Sequence, residues 1–203
     1  MATTPTDQGG PPAPERAPRR EQILEQALAL ISEQGVHAVS TRKIAAAVGI
    51  SQPSLYAFFP TRQALVAEVS RRAFAALSQR MSDEVSAPTQ DGLLQRLARA
   101  YIDFGLTHPD VYRVAFMIEG VRRVAGGEHD AALSAGLNAF RILRLATAQS
   151  LGSDAANDEI ELMAQSTWAS LHGLVSLIIA RPSFPWADRE ALIETHIQRV
   201  LRD

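Results

Sequence analysis

The sequence predicts an all-α fold of about nine helices, arranged as a short N-terminal domain and a larger helical bundle. From residue 19 onward the apolar residues recur at three- and four-residue spacing, and nowhere do they alternate as in a strand. The intervals between apolar runs hold the residues that stop and start helices: Gly35, Gly49, Pro60, Pro109, Gly152 and Pro182. The composition, 203 residues with 46% hydrophobic and 21% charged, is that of a globular protein able to bury a sizeable core.

Each element follows from its own residues. Residues 1–18 contain five prolines and the pair Gly9-Gly10, with no aliphatic side chain larger than alanine. Such a stretch cannot offset its ordering entropy and is expected to be a disordered arm, with Arg16, Arg19 and Arg20 at its end. A first helix is predicted over 19–34, with Ile23, Ala27, Leu30 and Ile31 on one face and Gly35 as its stop. Ser40 caps a second over 41–48, whose buried side is Ile44, Ala45 and Val48. Ser51 caps a third over 52–58, with Pro53 tolerated in the first turn. Pro60 ends it, and Thr61 caps a long fourth helix reaching about residue 82. The remaining helices are expected over 90–107, 110–121, 130–151, 157–180 and 188–201. Three segments result: the arm 1–18, a short helical domain 19–66 with a pair of short helices at 41–59, and a larger helical domain 67–203.

Several function classes are set aside. There are no cysteines, so disulfides, thiolate metal sites and thiol nucleophiles are excluded. Five histidines show no metal-ligand spacing, and Glu128-His129-Asp130 reads as a polar helix start. No metal or cofactor is expected. No G-x-S-x-G and no phosphate-cradling glycine loop occurs, which leaves a small helical enzyme as a remote alternative. No run of about 18 apolar residues is read as a membrane span, and the N-terminus lacks the pattern of a signal peptide. A cytoplasmic protein with no membrane partner is expected. With a net charge of −2, any nucleic-acid contact must come from a local basic patch.

Two short capped helices across Gly49 cannot be stable alone and must pack on each other and on the first helix. That is the pattern of a helix-turn-helix, in which the second helix enters the major groove. A plain structural hairpin has the same spacing. The residues go further. Ser40-Thr41-Arg42-Lys43-Ile44-Ala45, Val48-Gly49-Ile50-Ser51, Ser54-Leu55-Tyr56 with Phe59-Pro60, and Arg62 with Ala64-Leu65 together resemble the TetR family motif over about 45 residues.

The resemblance implies a double-stranded DNA operator as partner. It implies DNA contacts from Arg19, Arg20, Ser40, Thr41, Arg42, Lys43, Gln52, Ser54, Leu55, Tyr56 and Arg62. Within that set helical geometry turns Leu55 inward with Phe59, while Gln52, Ser54 and Tyr56 face out. Gln52 has the chemistry for a paired hydrogen bond to adenine. Arg62 stands where the family usually carries lysine, at a helix N-terminus that favours phosphate. Phe58 departs from the family, which often has a phosphate-donating side chain there. The alternatives are a solvated face for Arg42 and Lys43, and a core role for Tyr56.

The eighth helix is apolar almost all round. Trp168, Leu171, Val175 and Ile178 form a ridge of large residues, and Ala169, Gly173, Ser176 and Ala180 a ridge of small ones. The small ridge is predicted to be a homodimer interface, with helices eight and nine of two subunits forming a four-helix bundle. A dimer also suits a near-palindromic operator, since it sets two reading helices about 34–36 Å apart. His108-Pro109 with Tyr112, Arg113 and Phe116, and Trp168 with His172-Gly173, resemble the family branch whose C-terminal domain is named for Trp-His-Gly. The family implies an apolar pocket for a small-molecule effector. Its candidates here are Phe104, Tyr112, Phe116, Met117, Phe140, Trp168 and His172. Ordinary core packing explains the same pattern, and a core histidine bonded to a carbonyl explains His172. Arg141 and Arg144 could meet an acidic ligand or form surface salt bridges. The implied mechanism is a repressor released from DNA when effector binding shifts the population. A TetR-like DNA binder without a small-molecule ligand is the alternative.

Overall fold

The computed structural model describes residues 13–35, 40–87, 92–116 and 128–201. Among these there are nine helices and no strand: α1 (Ala13–Gln34), α2 (Thr41–Val48), α3 (Gln52–Tyr56), α4 (Arg62–Ser86), α5 (Leu93–Thr107), α6 (Pro109–Phe116), α7 (Glu128–Leu151), α8 (Asn157–Ala180) and α9 (Arg189–Val200). The chain divides into two compact units, residues 1–69 and 70–203.

In the first unit α1 starts six residues before its predicted start at Arg19, inside the expected arm. Pro14 falls in the first turn, where no intrahelical donor is lost. Pro18 lies inside the helix and removes one bond. Tertiary contacts offset this: Arg16 Nη2 donates to the Ala57 carbonyl at 3.2 Å and its guanidinium lies 5.9 Å from the Phe58 ring centre. The unit's core is Ile23, Leu24, Ala27 and Ile31 of α1 against Ile44, Val48, Leu55, Phe59 and Leu65. Full burial of each large side chain contributes about 1.5–3 kcal/mol. That burial is what stabilises α2 and α3, which are only 8 and 5 residues long.

The turn between them is held by its caps. Gly49 adopts φ 74°, ψ 33°; its N–H bonds the Ala46 carbonyl at 3.1 Å, and the Ile50 N–H bonds the Ala45 carbonyl at 3.0 Å. This paired closure needs a left-handed residue, so glycine is required. The Ser40 and Ser51 hydroxyls accept from the Lys43 and Ser54 amides, as the sequence predicts. α3 ends at Tyr56, two residues short of expectation, because Phe58 N–H turns to the Leu55 carbonyl in a tighter turn.

The second unit is a helical bundle around α5 and α8. Leu97, Tyr101 and Ile102 of α5 pack with Leu171, Val175 and Ile178 of α8, with Leu143 of α7, and with Ile193 and Ile197 of α9. Gly105 permits the closest approach: a Cβ there would stand 2.5 Å from Val175 Cγ1 and 2.9 Å from Tyr112 Cδ2. Arg99 of α5 bonds Asp103 and both carboxylate oxygens of Glu190 on α9. His108 closes α5 through its N–H to Phe104 and opens α6 by accepting from Tyr112 N–H. Against the expectation of no span, α8 is long and apolar enough to cross a membrane by length and composition, with mean hydropathy 1.3. A strict count of apolar residues missed this because the small residues Ala, Ser, Thr and Gly lengthen the run. In the bundle its large ridge is buried at Leu171, Val175 and Ile178.

Candidate functional site

The first unit presents a polar network around α3. Tyr56 is 41% exposed and shares a hydrogen bond at 3.3 Å with Thr41, whose own residue is buried. Gln52 Nε2 donates to Thr41 Oγ1 at 3.1 Å and to the Tyr56 hydroxyl at 3.4 Å. The hydrogen bond from Thr41, then that from Gln52, holds the Tyr56 phenol below its ordinary pKa. The exposed Ser54 Oγ bonds Ser51 Oγ at 2.7 Å. Thus α2 positions α3's outer face: Thr41 is the post on which Gln52 and Tyr56 are hung.

Other predicted contact residues fall into groups. Ser40, Arg42 and Lys43 are exposed at the start of α2, with Lys43 Nζ donating to Gln34 Oε1 at 2.7 Å. Arg62 begins α4 and is half-buried. Arg19 is exposed and donates to Gln22. One assignment is corrected. Leu55 is fully buried and cannot reach a partner, because the inward face of a five-residue helix has to supply the core contact that holds it. Arg20 is half-buried: it pairs with Glu68 at 3.1 Å and lies 4.8 Å from the Phe59 ring centre. Phe59, which is fully buried, is thereby covered by a cation rather than left to solvent.

The second unit encloses a partly open cavity of about 860 Å³. α4 supplies Phe74 and Leu77 to its wall, α7 supplies Phe140 and Leu143, and α8 supplies Leu162 and Trp168. Phe116 and Tyr101 also line it. The acidic member, Glu161, is neutralised by Arg144 Nε at 2.9 Å and accepts from Gln165 at 2.8 Å. The salt-bridge reading of Arg144 therefore holds, and Arg141 bonds Asn138.

Of the seven pocket candidates, Phe116, Phe140 and Trp168 reach the cavity. Met117 lies outside the described residues. Phe104, Tyr112 and His172 are not on the wall, which corrects their assignment. Phe104 belongs to the core and faces His108. Tyr112 and His172 sit behind the wall in a relay. Trp168 Nε1 donates to Tyr101 OH at 3.3 Å; Tyr101 OH meets Tyr112 OH at 2.9 Å; Tyr112 OH meets His172 Nδ1 at 2.6 Å; His172 Nε2 meets Ser176 Oγ at 3.1 Å. Burial pushes the Tyr101 phenol up to about 12 and the Tyr112 phenol higher, and it lowers the His172 imidazole. All three are neutral near pH 7. Tyr101 was missed in the sequence, although its three-residue spacing to Phe104 was visible.

The small ridge of α8 is open on this chain. Ala169 and Ala180 are exposed, and a Cβ at Gly173 would meet nothing within 4 Å. Leu162 and Leu177 extend the same apolar stripe at 72% and 55% exposure. Ser176 is half-exposed, and its hydroxyl meets His172 Nε2 on the same helix.

Residues 23–69 match the family model described as bacterial regulatory proteins, tetR family, and residues 94–200, more than half the chain, match the tetracyclin repressor-like C-terminal domain. The chain belongs to the tetR family. Its relatives include the uncharacterized HTH-type transcriptional regulator YobS of Bacillus subtilis, 30% identical over 98 residues, which are 48% of this chain and 51% of YobS. The nucleoid occlusion factor SlmA of Haemophilus ducreyi is 29% identical over 98 residues, 47% of this chain and 48% of that protein. The chain thus spans about half the length of the curated relatives it matches. Among solved structures, regulatory protein SCO4313 shares the fold with a TM-score of 0.78 at 23% identity, covering 94% of this chain and 98% of that one.

Proposed function

We propose that this tetR-family chain is a ligand-responsive DNA-binding transcriptional regulator, a repressor that binds a near-palindromic operator as a homodimer and leaves it when a small, largely apolar effector enters the second unit. The observation that carries the reading is the outward polar network of Gln52 and Tyr56, built on a five-residue helix that follows a glycine turn. A helix that short is held at such packing expense for what it presents. Its hydroxyls suit phosphate oxygens and base edges. With Nε2 engaged by Thr41 and Tyr56, Gln52 offers Oε1 to a base amino group, adenine N6 or cytosine N4. The paired adenine contact expected from the sequence requires those internal bonds to be given up. Arg19, Ser40, Arg42, Lys43 and Arg62 are the phosphate candidates.

Three further parts of the reading have their own supports. The cavity of about 860 Å³, walled mainly by apolar side chains, is of a size and lining suited to an apolar small molecule. It favours an effector over the alternative of a DNA binder without one. The open stripe Leu162–Ala169–Gly173–Leu177–Ala180 is the surface a second copy would cover. Trp168 with His172-Gly173 supports the Trp-His-Gly branch.

The test is a mobility-shift titration on the DNA upstream of the protein's own gene. Tyr56→Ala and Arg62→Ala are expected to weaken binding while both variants keep the wild-type circular-dichroism melt. Arg62→Ala should also reduce the salt slope by roughly one. Unchanged binding by both variants would reject this face as the DNA site. In sedimentation, Gly173→Leu should give monomers or aggregates; a dimer like the wild type would reject the α8 stripe as the interface.

A further inference from the structure

Along its shorter contacts, leaving aside the 3.5 Å approach of Tyr101 OH to His172 Nδ1, the relay behind the cavity has two proton orders, and they differ at both ends. In the first, Tyr101 donates to Tyr112, Tyr112 donates to His172 Nδ1, and Nε2–H donates to Ser176 Oγ. In the second, Nδ1–H donates to Tyr112, Tyr112 donates to Tyr101, and Ser176 donates to Nε2. Trp168 Nε1 is a donor in either case, so Tyr101 oxygen always accepts once. In the second order it accepts twice and its own proton is freed. The two orders are not equal in an empty cavity. The first leaves every phenolic proton bonded, and its spare hydroxyl, Ser176, is half-exposed. The second strands the proton of Tyr101, a residue 3% exposed, and an unmade buried hydrogen bond is costly.

We propose that the cavity takes an apolar molecule bearing a carbonyl oxygen, that Tyr101 donates to this oxygen, and that doing so reverses the relay as far as Ser176 on α8. This rests on the effector reading of the cavity above. Tyr101 and Trp168 are the relay members on the cavity wall. A carbonyl accepts without donating, so only in the second order can Tyr101 give it a proton while the bond between Tyr101 and Tyr112 is still made. A hydrocarbon satisfies neither end and leaves the first order in place. No bond to carbon forms or breaks; the protons shift along existing hydrogen bonds and His172 exchanges one neutral tautomer for the other. Burial keeps His172 uncharged near neutral pH, which makes both tautomers available. The far end matters because Ser176 belongs to the helix whose Gly173 and Leu177 form the open stripe. The chemistry of the bound group is thereby written onto that helix.

The test uses the full chain labelled with ¹⁵N-histidine and ¹⁵N-tryptophan, titrated with decan-2-one and with decane. The Trp168 indole resonance reports occupancy, and the His172 ring nitrogens, assigned through His172→Asn, report the tautomer. The expected result is that decan-2-one binds about 2- to 10-fold more tightly than decane, the worth of one net hydrogen bond. It should move His172 from the Nε2–H to the Nδ1–H pattern, while decane leaves it at Nε2–H. In Tyr101→Phe the two probes should bind alike. If the ketone occupies the cavity and His172 keeps its tautomer, or if Tyr101→Phe retains the ketone preference, the relay inference fails and the cavity reading stands. If neither probe moves the Trp168 resonance up to its solubility limit, the cavity reading fails, and this inference with it.

Discussion

Each unit of this chain is organised round a tyrosine-centred hydrogen-bond network, and the two networks have opposite electrostatics. Tyr56 is exposed, and its bonds to Thr41 and Gln52 lower its pKa. Tyr101 and Tyr112 are buried, and burial raises theirs; the bond between them lowers the Tyr101 phenol and raises that of Tyr112 further. In the first network water can replace any partner that leaves. In the second, water reaches the ends at Trp168 and Ser176, and Tyr101 and Tyr112 between them are out of its reach. The outer network is therefore free to exchange partners with a ligand at little cost, and the inner one is fixed in membership and can change only the order of its protons. The same side chain serves contact in one place and internal signalling in the other.

The glycines of the two units draw the same contrast. Gly49 is required by its backbone, at φ 74° with open space around it. Gly105 is required by its neighbours, Val175 and Tyr112. The largest effect expected is that of Gly105→Leu, which forces α5 off α8 and should cost more than about 3 kcal/mol. Gly49→Ala should cost about 1–2 kcal/mol through backbone strain alone. Urea unfolding of both variants checks this. A Gly105→Leu midpoint close to that of Gly49→Ala would mean the bundle yields more readily than the contacts at Gly105 allow.

What the sequence made legible follows the same line. The caps Ser40, Gly49 and Ser51 act within four residues, so α2 and the turn were placed correctly from local chemistry. The start of α1 was misplaced because prolines at 14 and 18 read as breakers, whereas Arg16 is held by Ala57, 41 residues away. The relay was illegible for the same reason: Tyr101 finds its partners 11 and 67 residues along the chain. Periodicity showed that Phe104, Phe116 and Phe140 face inward. It could not show that Phe104 meets packed atoms and the other two meet a void.

One substitution made in both networks measures their difference directly. Tyr112→Phe leaves His172 Nδ1 and the Tyr101 hydroxyl without their buried partner, and should cost about 1–3 kcal/mol in denaturant unfolding. Removing one member of a buried network is penalised by the groups left behind. A neutral outcome would mean that water enters the relay, which would also remove the penalty that holds its proton order in the empty cavity.

A smaller effect is expected from pH. The folded chain holds His172 below the imidazole's ordinary pKa, about 6.5, through burial. As pH falls below about 6.5 the unfolded chain takes up a proton that the folded chain does not, so this contribution to stability is present above that pH and is lost as pH drops. Melting curves from pH 8 to pH 5 should therefore fall more steeply for the wild type than for His172→Asn. Parallel curves would place His172 in contact with bulk water.

The smallest effect on stability, and the sharpest division between the units, belongs to Tyr56→Phe. The ring keeps its place on α3, and Thr41 and Gln52 turn to water or to each other, so unfolding should shift by no more than about 0.5 kcal/mol. Operator affinity should nonetheless fall, because the hydroxyl removed is one that the network orients outward for a phosphate or base edge. Stability and affinity are thus expected to separate at Tyr56. At Tyr112 the matching substitution should move stability first. If Tyr56→Phe instead destabilised its unit as much as Tyr112→Phe does the other, the outer network would be part of the packing that holds α3, and the contrast between a presenting surface and a sealed relay would not hold.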